Sequence, residues 1–293
     1  MKKLFALPGL LAALFALPAW AQEQLPILGR PEADGIGFQT PATELMEDIV
    51  WLDNFLLITI TAICLFVVGL LGWVIIRYNA RRNPEPAKFT HNTPLEVTWT
   101  VVPAFILVVI GVFSLPILFK QQIIPEADVT IKATGYQWYW GYEYVDHDIA
   151  FESYMIGAPA LGGDNSLTPE TEAQLVAAGY SRDEFLLATD TAVVVPVGKT
   201  VVMQVTAADV IHAWTIPAFG VKQDGVPGRL AELWFNAKKE GVFFGQCSEL
   251  CGLNHAYMPI TVKVVSEASY DAWLKANQEA NGDYVDVSAV LTN

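Results

Sequence analysis

Basic residues are scarce in this 293-residue chain: 17 Lys and Arg stand against 31 Asp and Glu, a formal net charge of −14. That balance argues against nucleic acid as a partner, because phosphate binding needs a basic face. Charge of either sign is sparse, at 16% of residues, while 53% are hydrophobic. A chain this apolar is not intrinsically disordered. No Cys-x-x-Cys-His run occurs, so no c-type haem is attached. No internal repeat is visible, and only three cysteines and four histidines are present. The average hides where the charge and the apolar residues sit.

The apolar residues fall in three runs. Residues 1–21 read as a signal peptide: Lys2 and Lys3, an apolar stretch from Leu4 to Leu17, then the small-x-small site Ala19-Trp20-Ala21. Two longer runs, Phe55 to Ile76 and Val97 to Leu118, each hold 22 uncharged residues. As helices these reach about 33 Å, enough for a hydrocarbon core of about 30 Å. Pro103 and Pro116 in the second run point to packing against a partner that re-satisfies the backbone. The loop 77–96 carries Arg77, Arg81, Arg82 and Lys88, whereas segment 22–54 has Arg30 as its one cation against seven acids. The positive-inside rule places 77–96 in the cytoplasm and both ends outside. Segment 22–54, the spans 55–76 and 97–118, an exported domain 119–281 and a flexible tail 282–293 complete the expected organisation.

From Lys120 onward the chain holds ten Lys and Arg against 22 Asp and Glu. Its pattern is strand-like. Runs at 193–195, 200–206 and 260–265 are rich in Val, Ile and Thr and are bounded by Pro, Gly or Asp, and 129–144 reads as a long aromatic strand or hairpin. Many short strands at this spacing predict an all-β sandwich or barrel. Thr168-Pro169-Glu170 predicts a capped helix that stops near Gly179, inside an apparent insertion at 157–190. Ser266 predicts the cap of a terminal helix reaching about Ala280.

The chemistry concentrates in Cys247-x3-Cys251-x3-His255-x2-Met258, with His212 upstream; Cys64, inside the first span, reads as packing. Three chemistries compete for the set. An exported disulfide between Cys247 and Cys251 would leave His255 and Met258 idle. Zinc suits thiolate and imidazole, but a thioether is not a usual zinc ligand. Copper suits all five donors best, since the set is soft. A mononuclear blue site uses one Cys, two His and a weak Met, so this set carries one thiolate too many. Two thiolates can instead bridge two copper ions with one His terminal on each, which spreads the transferred charge and limits rearrangement on reduction.

The loop 247–258, His212, the run Gln137-Trp138-Tyr139-Trp140 and the two-span hairpin together resemble subunit II of the haem–copper cytochrome c oxidases of bacteria. The resemblance covers nearly the whole chain after the signal segment. It implies a two-helix transmembrane hairpin and a cupredoxin-like Greek-key β domain. It implies a dinuclear copper A centre in which Cys247 and Cys251 bridge, His212 and His255 are terminal ligands, Met258 binds one copper weakly, and the backbone carbonyl of Glu249 binds the other. It further implies that the Glu249 carboxylate holds Mg²⁺ or Mn²⁺ against subunit I, a role that suits a hard cation. Trp138 would be the point where an electron enters from cytochrome c, although by alternation alone Tyr136, Trp138, Trp140 and Tyr142 would share one strand face.

The same resemblance assigns Glu143, Glu152, Asp190 and Asp209 to docking of a basic cytochrome c, consistent with an acidic domain that steers a cationic donor. It places Glu96 at the mouth of a proton channel in subunit I, although a helix N-terminal acid needs no further role. The implied partners are cytochrome c, oxidase subunits I and III and membrane lipid, with the copper domain on the periplasmic side of the bacterial inner membrane. The oxygen chemistry would occur in subunit I, since this chain lacks the histidines and spans to hold haems. Nitrous oxide reductase shares the loop but adds a propeller domain for which there is no length here. Copper chaperones use C-x3-C and a distant His but have no need of His255 and Met258. A quinol-oxidase subunit II would lack the two cysteines.

Overall fold

A computed structural model describes residues 25–280 and 282–291; the expected signal peptide lies outside the described residues. A short strand β1 (Ile27–Gly29) precedes helix α1 (Glu44–Arg77) and helix α2 (Thr93–Gln122). Then follow β2 (Val129–Tyr136), β3 (Tyr139–Tyr144), β4 (Ile149–Ser153), helix α3 (Pro169–Ala177), β5 (Val193–Pro196) and β6 (Thr200–Ala207). The remaining elements are β7 (His212–Ile216), β8 (Val221–Gly225), β9 (Ala231–Asn236), β10 (Gly241–Gln246), β11 (Pro259–Val265) and helix α4 (Glu267–Glu279).

The two helices form the hairpin. Both are long and apolar enough to cross a membrane, and their apolar windows bury nothing within the chain. Trp51, Phe55 and Phe113 pack between them, and Lys120 of α2 reaches back to Glu44 and Asp48 of α1. Helix α1 starts well before the span expected at residue 55. Thr43 caps it by accepting from the Met46 N–H, and its hydroxyl donates to the Phe219 carbonyl at 2.6 Å. Leu45 and Met46 are buried on the sandwich, and the Ala42 N–H bonds the Ala218 carbonyl. The first turn of α1 therefore belongs to the β domain. Helix α2 is capped by Asn92, whose side chain accepts from the Leu95 N–H.

The β domain stacks a four-stranded sheet, ordered β1-β10-β11-β5, against a five-stranded sheet, ordered β4-β3-β2-β6-β9, with β7-β8 as a separate ribbon. Pairs β2–β6, β5–β11 and β1–β10 run parallel, so the topology crosses over between sheets and is not a meander. Alternation drives the burial: Val129, Ile131 and Ala133 of β2 face inward, against Trp140, Tyr142 and Tyr144 of β3. Val193, Val195, Met203, Trp214, Phe243 and Trp273 help fill the core.

Of the two expectations for 129–144, a long strand or a hairpin, the structure has the hairpin, which turns at Gln137–Trp138, where the peptide bond is cis. Trp138 therefore leaves the face that Trp140 and Tyr142 share. Helices α3 and α4 begin at the expected caps, Thr168 and Ser266. Part of the tail expected to be loose is packed: Val287 is buried, the Tyr284 hydroxyl donates to the Ala192 carbonyl, and Asp286 pairs with Lys263 at 2.7 Å. The physical reason is two apolar side chains, Tyr284 and Val287, that find a place on the sandwich edge beside Trp273.

Candidate metal centre

The cluster sits where the β2–β3 turn, the start of β7 and the loop from β10 to β11 converge. Cys247 and Cys251 are both buried and not bonded to each other; their Sγ atoms lie 3.8 Å apart. His212 is fully buried at the first position of β7, with Nδ1 3.8 Å from Cys247 Sγ. On the other side, His255 Nδ1 and Met258 Sδ each lie 3.5 Å from Cys251 Sγ. The Glu249 carbonyl oxygen lies 3.3 Å from Cys247 Sγ. Ligand atoms of His212, Cys247 and Cys251 fall within 4.8 Å of one another, the spacing of groups that share a metal.

Short contacts hold the loop in place. The Ser248 N–H donates to the Ala213 carbonyl at 3.0 Å, which ties the loop to β7. The Cys247 N–H donates to the Met258 carbonyl, and the Trp140 indole N–H donates to the same carbonyl from below. Trp140 packs edge-on to the His212 ring. Gly135 of β2 lies against that ring: a Cβ there would meet His212 Cδ2 at 2.7 Å, so only glycine lets β2 pass so close.

Asp209 accepts from His212 Nε2 at 2.9 Å. With Nε2–H donated to a carboxylate, the Nδ1 lone pair is free to face the thiols, as in carboxylate–histidine–metal arrangements. Burial opposes the Asp209 charge, but the bonds from His212, Val210 and Gln137 prevail and lower its pKa. Burial also opposes ionisation of the two thiols. At Cys247 the His212 contact and nearby backbone groups overcome it and lower the pKa; at Cys251 burial and the adjacent Cys247 charge raise it. Two thiolates this close ionise together only when a cation neutralises them. The donors are two thiols, two imidazoles, a thioether and a carbonyl, gathered in one cluster in which His255 is half-buried and the sulfurs and His212 are buried, and this set fits copper.

The other expected residues fall in different places. Trp138, at the turn, is half-buried, and its indole N–H donates to the Cys251 carbonyl at 3.2 Å. Glu143 of β3 and Glu152 of β4 are exposed on the outer face of the five-stranded sheet, Glu143 beside Lys132 and Glu152 accepting from the Tyr154 hydroxyl. Asp190 is only partly exposed and accepts from the N–H groups of Tyr154 and Thr191; burial raises its pKa. Glu249 is exposed at the loop tip, and Glu96 sits in the first turn of α2, far from the cluster in the fold. The sequence reading missed three supports of the cluster: Gly135, Gln137 and the orienting contact of Asp209. The Asp209-x-x-His212 spacing was the one visible signal for the last.

Fold and site together define a class: a two-span membrane protein that carries a cupredoxin-like β-sandwich with a soft-donor metal pocket at one end. Sequence profiles agree. Residues 31–117 match the transmembrane domain of cytochrome c oxidase subunit II, and residues 129–265 match its periplasmic domain. The chain is 65% identical to cytochrome c oxidase subunit 2 of Cereibacter sphaeroides over 97% of its own length and 92% of the relative's. It is 46% identical to a probable cytochrome c oxidase subunit 2 of Rickettsia bellii, over 97% and 96% of the two chains. A crystal structure of the periplasmic domain of the Bradyrhizobium japonicum subunit II is 45% identical, with a TM-score of 0.44, and covers 54% of this chain and 99% of that one. The chain belongs to the cytochrome c oxidase subunit II family and is thus a subunit of an oxidoreductase.

Proposed function

We propose that the chain receives electrons from cytochrome c and hands them to haem in subunit I of a proton-pumping oxidase. The observation that carries this reading is the soft-donor cluster lying one hydrogen bond from a partly exposed indole: Trp138 Nε1 to the Cys251 carbonyl, 3.2 Å. Two copper ions held here would supply a one-electron redox pair. Cys247, Cys251, His212 and His255 would hold them, with Met258 and the Glu249 carbonyl completing the set. The Glu249 side chain, free at the loop tip, would hold Mg²⁺ or Mn²⁺ against subunit I.

Trp138 offers a docked donor an aromatic edge and a bonded path to the Cys251 backbone. Trp140 and the β2 strand close the pocket beneath and exclude water, which keeps rearrangement on electron transfer small. Exposed Glu143 and Glu152, with the net negative domain, favour approach of a basic donor; Asp190 and Asp209 add to that field from positions already engaged in hydrogen bonds. The hairpin would seat against subunits I and III and lipid in the bacterial inner membrane. Loop 77–96 would face the cytoplasm, with Glu96 near a proton-uptake channel, and the β domain and both termini would face the periplasm after loss of residues 1–21.

The test uses the full chain purified from membranes and loaded with copper. Two copper ions per chain are expected, with an EPR spectrum of one unpaired electron shared over two nuclei. A four-line mononuclear spectrum, or a preference for zinc over copper, would sink the reading.

A further inference from the structure

The turn that bears Trp138 is tied to the metal-binding segments by three hydrogen bonds, one of them to a carboxylate that also holds His212. Asp209 lies in the bend between β6 and β7. Its Oδ2 accepts from the Gln137 backbone N–H at 2.7 Å. Its Oδ1 accepts from the Val210 N–H at 2.7 Å and from His212 Nε2 at 2.9 Å. Gln137 then returns to the cluster by its side chain: Nε2 donates to the Cys251 carbonyl at 2.8 Å, the same oxygen that accepts from the Trp138 indole. Both lone pairs of that carbonyl are thereby used.

The fit depends on the neighbouring residue. Gly252 has φ +117°, and a Cβ there would lie 3.2 Å from Gln137 Nε2 and 3.3 Å from Trp138. A side chain at 252 would strain the backbone and crowd both Gln137 and Trp138.

We propose that Asp209 and Gln137 are positioning residues: they lock the Trp138 turn to both ligand segments, holding the indole on the Cys251 carbonyl and aiming His212 Nδ1 into the pocket. The role rests on the functional reading above and differs from a docking role. A docking acid acts through its charge on a distant partner and needs no bond within its own chain. The Asp209 carboxylate is engaged by three N–H donors of its own chain, and Gln137 has no charge to offer. Hydrogen bonds to an ionised acceptor are short, directional and stronger than neutral ones, which suits a clamp. The clamp also couples the two ends of the electron path: a shift of the turn moves the indole and the His212 ring together.

The experiment compares Asp209→Asn, Gln137→Ala and Glu143→Gln in the intact oxidase, with a second measurement on the metal-free full chain in detergent. At saturating cytochrome c, Asp209→Asn and Gln137→Ala are expected to slow electron uptake about tenfold, the lower end of effects seen on removing groups that orient ligands. Gln137→Ala should leave KM and its salt dependence unchanged, and Asp209→Asn should change them less than Glu143→Gln does. Asp209→Asn should also alter the copper EPR spectrum, whereas Glu143→Gln should raise KM, flatten the salt dependence and leave the spectrum alone. In the metal-free chain, nitrogen NMR of His212 should show the proton on Nε2, and Asp209→Asn should redistribute it between the two nitrogens. The proposal is overturned if Asp209→Asn behaves like Glu143→Gln, or if Gln137→Ala leaves the saturated rate intact. The same holds if the His212 tautomer ignores the substitution. Should the wild-type chain bind no copper pair, the functional reading fails, while the NMR result still decides the clamp.

Discussion

In the β-sandwich, Trp140, Phe243 and Trp273 are buried in a core the chain builds for itself, while in the hairpin Phe66 and Leu107 remain 65% and 68% exposed. Both regions are rich in the same residue types, yet one is finished and the other is not. The sandwich closes because strand alternation sends one face inward and the other to water. The helices are apolar all round, so neither has a preferred inward side, and beyond the Trp51–Phe55–Phe113 contact they bury little on each other. An all-apolar surface of that extent needs lipid or other membrane helices around it. The region that holds the candidate metal centre is thus packed by the chain itself, and the hairpin waits for its surroundings.

The boundary between the two can be attacked at several strengths. The largest effect is expected from Cys251→Ser, which removes the sulfur nearest to His255 and Met258. The copper-pair spectrum should vanish and copper content should fall below two per chain by metal analysis, while the chain still fractionates with membranes. A retained two-copper spectrum would show that chemistry and Cys251 are separable. A smaller but clear loss is expected from Leu45→Ala. Leu45 is formally a helix residue but is buried on the sandwich, so the variant should lose about 2–5 kcal/mol of β-domain stability by denaturant unfolding of the full chain in detergent. No loss would put the boundary back at the membrane surface. The smallest effect is expected from Leu107→Ala, mid-span and exposed: within about 0.5 kcal/mol in the isolated chain. Its consequence should appear instead as weaker retention of the partner subunits during purification of the complex.

Much of this comparison was already written in the sequence. The two uncharged runs, the caps Thr168 and Ser266, and the spacing of Cys247, Cys251, His255 and Met258 are local signals, and local signals are legible because hydropathy, capping and ligand spacing act over a few residues. Other features rest on contacts distant in sequence. The early start of α1 depends on Phe219 and Ala218, the packing of residues 284–287 on Ala192 and Lys263, and the role of Asp209 on Gln137. Alternation over 136–142 suggested one continuous face. The hairpin turn at 137–138 broke it, since a turn resets the period that alternation assumes.

By itself the sequence determined that the chain spans a membrane twice, carries a β domain, and brings two thiols, an imidazole and a thioether into one short loop. Only the tertiary structure decided that His212 arrives opposite Cys247, that Trp138 comes within hydrogen-bond reach of the Cys251 carbonyl, and that Asp209 points into the cluster. The physical reason is the same in each case. A metal pocket assembled from three separate segments is fixed by how two sheets pack and where their connections turn, and no local pattern in the chain carries that geometry.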